Sequence, residues 1–353
     1  MPSWTLSVAR SDFADTRVLE TTPPEAADGE AVLRVDRVGV TANNVTYAVL
    51  GEALRYWEFF PTEAGRGVVP LWGFAEVVES RVEGLSTGVR VYGYLPSGSH
   101  LLVRPARVDE RGFRDASEHR AALPSPYNTY ALTTGDPAYE ADREDLQVLF
   151  RPLFWTSFML ADWLVDNDAM GAESIVLSSA SSKTAYGTAF ELQRQGRRVV
   201  GLTSTRNVAF TEGLGCYDTV VSYDAVIGLS AEVPTLYADF AGDPALAERL
   251  RARVHLVQEV VVGVTHQKIA AFGTRGQTGR TTFFAPDQMR KRVGDWGREE
   301  LDRRFAEAWR GFAPAVEGWV DVQEQHGPEA LERVWQEVLS GRADPRAGHV
   351  LTF

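Results

Sequence analysis

The chain has 353 residues, 44% hydrophobic and 24% charged, the composition of an ordinary globular protein with room for two domains. Its 36 basic residues stand against 48 acidic ones, and the net charge of -12 is spread without a basic run, so nucleic acid is excluded as the main partner. The single cysteine, Cys216, excludes an intramolecular disulfide and any multi-thiolate metal site.

Between Met1 and Glu20 there is no apolar core flanked by positive charge, and no unbroken 18-residue apolar run occurs anywhere in the chain. No membrane segment is expected, and the cytoplasm is the default location.

In chain order, the first 110 residues read as β structure. Trp4 to Val8, Glu30 to Val40, Gly73 to Arg81, Val89 to Tyr94 and His100 to Pro105 are short segments rich in β-branched or aromatic residues, separated by turn clusters such as PPEAADGE, EGLSTG and LPSGS. A small twisted barrel is the simplest packing. Asp109 to Ala141, rich in proline, tyrosine and charge, reads as a long loop region. The texture then changes to strands alternating with helices, the signature of parallel strands joined by crossovers. Strands are expected at Ser174 to Ser178, Arg198 to Leu202, Asp218 to Val221, Leu236 to Phe240 and Leu256 to Val262. Helices are expected at Thr184 to Gln195 and Val208 to Leu214. Past Gly279 come polar helices at Asp287 to Arg292 and Glu299 to Phe312. Pro328 to Gly341 is an amphipathic helix with Leu331, Val334, Trp335, Val338 and Leu339 on one face, and His349 to Phe353 is a final strand.

The first strand of the alternating region runs into SSASSKTAYG. Such a strand-to-helix turn is where dinucleotide pyrophosphates bind, on backbone N–H groups at the positive end of a helix. Glycines normally hold this turn at three-residue spacing. Here Ser179, Ser182 and Ala185 hold it, with Gly187 just beyond, and Ser181, Lys183 and Thr184 add hydroxyls and a charge. The same residues also fit a plain polar turn capped by Ser182. After the second strand the sequence is GLTSTRN. A turn that holds ribose hydroxyls carries an Asp or Glu, whereas Ser204, Thr205, Arg206 and Asn207 are all donors, suited to a 2′-phosphate. NADPH is the cofactor this pattern points to; a solvated surface arginine is the other reading of Arg206.

Longer stretches resemble a known family. VEGLSTGVRVYGYLPSGSHLLVRP, VVGLTSTRNVAFTEGLGCYDTVVSYD and ALERVWQEVLSGRADPRAGHVLTF are similar to the barrel-closing, adenosine-side and terminal segments of the zinc-independent medium-chain dehydrogenase/reductases, the quinone oxidoreductase and enoyl reductase group. The resemblance implies an α/β protein in which a GroES-like β-barrel catalytic domain (1–150 and 281–353) accompanies a Rossmann doubly wound parallel sheet (151–280). It also implies an active site in the cleft between them, and a homodimer. Where zinc-dependent members carry ligands, this chain has TANNVTY and LWGFAEV, so no metal is expected. Without a Lewis acid, hydride transfer to a polarised C=C asks least of the protein, because charge delocalises into an enolate that a proton donor quenches.

By the same resemblance Asn44 and Tyr47 line the nicotinamide pocket, Asn44 as a carbonyl-binding amide and Tyr47 as the acid. Thr156 contacts the cofactor, Gly263 and Val264 meet the nicotinamide, and Phe283 and Phe284 form a pocket wall. Tyr127 and Tyr130 are candidates to reach the substrate and Trp57 to shape an apolar pocket, while His266 reads as structural. The expected function is an NADPH-dependent, metal-free reductase of enones, quinones or enoyl-type small molecules. A protein of this fold that binds a cofactor without turnover, and a carbonyl reductase, are the alternatives.

Overall fold

Strand Ala31–Val40 buries Leu33, Val35 and Val38 completely while Arg34 stays exposed, the alternation of a sheet with one wet face. The computed structural model describes residues 2–262 and 279–353. The chain divides into two units, one running up to Leu149 together with Val320–Phe353, the other Phe150–Trp319.

In the first unit, Ala31–Val40 is the hub of a nine-stranded sheet. It pairs antiparallel with Pro70–Ser80, His100–Val103 and the terminal strand Ala347–Thr352. Beyond Pro70–Ser80 lie Arg90–Pro96, Thr129–Leu132, Gly112–Asp115 and Pro105–Asp109 in turn. A three-stranded sheet of Asp12–Thr21, Ser3–Ala9 and Arg66–Val68 completes the β structure of this unit among the described residues. The stripe read from the sequence on helix Pro328–Leu339 is the face that closes this core: Leu331, Val334, Trp335 and Val338 are buried, and Trp335 Nε1 donates to the Phe13 carbonyl at 2.8 Å.

The segment read as a long loop contains two strands, Gly112–Asp115 and Thr129–Leu132. Each is four residues long, too short to show a period, and each contributes one aromatic ring to the core, Phe113 and Tyr130, stacked at 5.1 Å. A buried ion pair organises the residues between them. Arg120 Nε lies 3.2 Å from Asp115 Oδ2, and neither side chain is appreciably exposed. The guanidinium also donates to the Phe59 carbonyl and the Tyr130 hydroxyl and sits 4.8 Å over the Phe60 ring. Charged side chains in a loop-like composition therefore conceal a core element.

The second unit is a six-stranded, wholly parallel sheet in the order Thr219–Ser222, Val199–Thr203, Ser174–Leu177, Thr235–Asp239, Leu256–Val262, Arg280–Phe283. In sequence order this is 3-2-1-4-5-6, the doubly wound arrangement. The unit extends past the boundary expected at residue 280. Arg280–Phe283 is the sixth strand, and helix Arg298–Glu317 buries Leu301, Phe305, Trp309 and Phe312 within this unit. Phe312 stacks on Phe154 at 4.2 Å. The chain returns to the first unit at Val320.

Helix Glu144–Asp166 carries the apolar residues that the sequence spreads around Arg151 and Pro152. An 18-residue window within residues 141–166 reaches a mean hydropathy of 1.3, enough by length and composition to cross a membrane. Phe150, Phe154, Met159, Leu160 and Leu164 are nevertheless fully buried in the protein, as in a core helix.

One buried carboxylate makes stability depend on pH. Glu191, on helix Lys183–Arg194, is 5% exposed; burial pushes its carboxyl up from an ordinary 4.5 to about 7, with Arg194 at 3.4 Å opposing the shift. A carboxyl whose folded pKa is raised stabilises the fold fully below its unfolded value and loses that contribution as pH climbs through the folded one. Stability is therefore expected to fall between about pH 4.5 and 7 by up to about 3 kcal/mol from this group. Urea unfolding of Glu191→Gln across that range is expected to show a flatter profile than wild type; an unchanged slope would assign the pH dependence elsewhere.

Candidate functional site

Strand Ser174–Leu177 is buried along its whole length and lies where the strand order reverses, with Val199–Thr203 on one side and Thr235–Asp239 on the other. In open α/β sheets the crevice beyond the carboxyl ends at such a point is the ligand site. The crevice is held by one oxygen. Asp239 Oδ1 accepts from the Ser178 hydroxyl (3.0 Å), the Tyr237 hydroxyl (2.9 Å) and the amides of Ala241 (3.0 Å) and Gly242 (2.9 Å). Ser178 Oγ in turn accepts from the amides of Phe240 and Ala241, so the ends of two neighbouring strands are tied into one network.

The next residue makes the turn. Ser179 has φ of +49°, in the left-handed region where glycine is usual, and its amide donates to the Tyr223 hydroxyl at 2.9 Å. Ser182 caps the following helix, its hydroxyl accepting from the Ala185 amide. Ser181, between them, is held from the neighbouring turn: its oxygen accepts from Asn207 Nδ2 at 3.0 Å and from the Thr203 hydroxyl at 3.3 Å. With both lone pairs taken, the Ser181 proton is left to donate outward. Lys183 opens the helix with its ammonium 5.7 Å from the Phe150 ring centre, and the Thr184 carbonyl accepts from Ser157 Oγ at 2.8 Å. A Cβ on Gly187 would meet that same Ser157 oxygen at 2.8 Å, so the close-packing glycine of a dinucleotide fold is present, displaced along the helix from the expected spacing.

At the second turn, the Ser204 oxygen is buried without a hydrogen-bond partner among the described residues. Thr205 donates to Asp224, and Arg206 is exposed. Ser204, Arg206 and the outward Ser181 proton are donor groups clustered by the register of adjacent strands, with Asn207 bridging the two turns. That chemistry suits an anion.

The first unit places Tyr47 in a nest of rings. Tyr47 is buried, its ring 4.8 Å from Tyr56 and 5.5 Å from Tyr94, and its hydroxyl accepts from Trp72 Nε1 at 3.0 Å. Burial raises its pKa well above that of an ordinary phenol, so it stays protonated. Asn44 has another task. Its Oδ1 accepts from the Thr41 amide at 2.7 Å and its Nδ2 donates to the Pro70 carbonyl at 2.9 Å, closing a capping box on helix Ala42–Val49. The amide expected to bind a substrate carbonyl is thus committed to the backbone.

Other expected residues separate in the same way. Thr156 lies within helix Glu144–Asp166 with its hydroxyl on the Pro152 carbonyl; the residue that reaches the phosphate turn is its neighbour Ser157. Phe283 packs against Trp163 as core, while Phe284 is 56% exposed. Trp57 is clamped between Gly51 and Gly67, where a Cβ on either would collide with its indole, so it fills core. Tyr130 is likewise core, whereas Tyr127 joins the ring cluster, 4.7 Å from Tyr94. Gly263, Val264 and His266 lie outside the described residues. Among the described residues no group of three or more His, Cys, Asp or Glu is placed to hold a metal ion. Ser157 and Asp239 are the residues of this crevice that sequence reasoning missed, and only Asp239, an acid ending an apolar strand, carried a local signal; Asn207, expected as a phosphate donor, instead bonds Ser181.

With this geometry in hand, comparison with solved structures shows the fold. CurA from Vibrio vulnificus, in complex with NADPH, superposes with a TM-score of 0.65 at 11% identity, covering 99% of this chain and 98% of that one. A putative NADPH:quinone reductase from Bacillus thuringiensis gives 0.59 at 12%, covering 100% and 99%. The quinone oxidoreductase from Coxiella burnetii gives 0.58 at 12%, with both chains covered completely. The chain therefore has the medium-chain dehydrogenase/reductase fold, with a GroES-like unit and a Rossmann unit. No curated protein matches it by sequence. The sequence family described as "Protein of unknown function (DUF2855)" matches residues 38–344, and the chain belongs to that family.

The strained turn yields a direct test. A non-glycine residue in the left-handed region costs about 1–2 kcal/mol, and glycine there gives back about 0.5–1 kcal/mol in unfolded-chain entropy. Ser179→Gly is therefore expected to raise stability by about 0.5–1 kcal/mol in urea unfolding. A loss of stability instead would mean that the serine side chain contributes more than its backbone costs.

Proposed function

We propose that the chain is an NADPH-dependent oxidoreductase that reduces a conjugated carbonyl compound, an enone, quinone or enoyl-type small molecule, without a catalytic metal. The observation that carries this reading is the second turn. It has no acid at the strand end, it presents a buried, unpartnered Ser204 hydroxyl and an exposed Arg206, and Asn207 ties it to Ser181 in the phosphate turn. The neighbour solved with NADPH and the neighbours described as quinone reductases support it.

Bound NADPH would supply a hydride. The chain's own groups do the rest. Ser181 to Thr184 receive the pyrophosphate at the helix N-terminus, and Ser204 and Arg206 receive the 2′-phosphate. Tyr47 supplies the proton: its oxygen accepts the Trp72 N–H, which leaves its own O–H free to donate to a substrate, and the indole remains to stabilise the phenolate left behind. The serines that replace glycine in the phosphate turn favour a second reading, a cofactor-binding protein that has lost turnover.

Titrating NADPH and NADH against intrinsic tryptophan fluorescence is expected to show tighter NADPH binding; equal or tighter NADH would refute the cofactor assignment. Arg206→Ala is expected to cost about 1–3 kcal/mol of NADPH affinity and to leave NADH unchanged. NADPH absorbance followed against enones, quinones, enoyl thioesters and simple aldehydes separates the activities, with no oxidation supporting the second reading and aldehyde-only turnover a carbonyl reductase. With an active substrate, Tyr47→Phe is expected to lower kcat by about 10²–10⁴-fold while NADPH affinity persists.

A further inference from the structure

We propose that Tyr94 is the residue that anchors the substrate carbonyl, its hydroxyl donating to the carbonyl oxygen while the surrounding rings grip a flat conjugated body. This rests on the reading of the protein as a reductase of conjugated carbonyls. Tyr94 is fully buried on strand Arg90–Pro96, and its hydroxyl has no partner among the described residues. Each neighbouring hydroxyl makes a hydrogen bond. Tyr47 oxygen accepts from Trp72, the hydroxyls of Tyr56 and Tyr127 bond each other at 3.1 Å, and the Tyr130 hydroxyl donates to the Tyr94 carbonyl at 2.8 Å. A buried hydroxyl that neither donates nor accepts is costly, and where such a group persists beside hydroxyls that each make a bond, an acceptor brought by a ligand is the physical account of it.

The surroundings define what that acceptor belongs to. Five rings stand around Tyr94, with centroids at 4.7 Å (Tyr127), 5.1 Å (Trp72), 5.2 Å (Phe59), 5.5 Å (Tyr47) and 6.1 Å (Phe60). No carboxylate, lysine or arginine hydrogen-bonds the hydroxyls of Tyr47, Tyr56, Tyr94 or Tyr127 among the described residues. The matching ligand is neutral, planar and aromatic or conjugated, with one acceptor oxygen. Tyr127, half-buried and packed on Tyr94, is the member of the cluster that reaches solvent, and the Tyr47 ring stands 5.5 Å from that of Tyr94.

The test compares benzylideneacetone, a planar enone, with 1-phenylbutene, in which a methylene replaces its carbonyl. Equilibrium dialysis is run with NADPH-free wild type and Tyr94→Phe, and NADPH titration and thermal unfolding are run on both. Wild type is expected to prefer the ketone by about three- to tenfold, and Tyr94→Phe to lose that preference. The variant should also keep its NADPH affinity and melt no lower than wild type, because it removes a donor that had no acceptor. In turnover with NADPH, the loss should fall on KM rather than kcat. Equal binding of the two compounds by wild type overturns the proposal, and so does a preference that survives in the variant. A lower melting temperature for Tyr94→Phe also overturns it, since the hydroxyl would then already be satisfied within the protein. Carbonyl preference without any NADPH binding would remove the reductase reading and leave the Tyr94 assignment standing; NADPH binding without carbonyl preference would do the reverse.

Discussion

A single carboxylate oxygen organises the crevice at the switch point of the parallel sheet. Asp239 Oδ1 gathers two hydroxyls and two backbone amides there, and together with Ser178 Oγ it ties the loop after Thr235–Asp239 to the turn after Ser174–Leu177. A carboxylate that accepts several hydrogen bonds, two of them from backbone amides, is a strong and directional fixture. Its partner Ser178 is what lets the chain leave the strand in a fixed direction and enter the left-handed conformation at Ser179. Once that direction is set, Ser181 faces the second turn and Ser182 caps the helix. The serines do locally what glycines do elsewhere, with the strain of one residue offset by hydrogen bonds made by its neighbours.

The parallel sheet was legible because its strands are continuous apolar runs at regular spacing; Leu256–Val262 was readable to the residue. Segments that bury few residues were not. Asp12–Thr21 is exposed at most positions, so its sequence shows no face to the core. Gly112–Asp115 and Thr129–Leu132 bury aromatic rings beside an ion pair, and charge in a short segment reads as surface. The unit boundary was missed for a similar reason. Helix Arg298–Glu317 is dominated by charged residues in composition, and only its spacing reveals the stripe of Leu301, Phe305, Trp309 and Phe312.

The site was legible in its turns and opaque in its hydrogen bonds. Sequence position is enough to mark Ser181, Ser204 and Arg206, because a strand end fixes where a turn falls. It says nothing about Asn207 reaching back to Ser181, or Ser157 reaching Thr184 from another helix, since these bonds depend on how strands and helices are stacked. Asn44 illustrates the converse: a residue type apt for chemistry is consumed by closing a helix end. Tyr94 sat in a strand-like run and carried no signal, because an unmet hydroxyl can be recognised only when every neighbour's partner is known.

The bond between Asn207 and Ser181 also bears on how this protein could diversify. Two strand-end turns are here stitched by one amide, so a change in the turn after Val199–Thr203 propagates to the turn after Ser174–Leu177. Substitutions that reposition Asn207 would be felt at Ser181 as well, so the two turns are constrained to vary in concert.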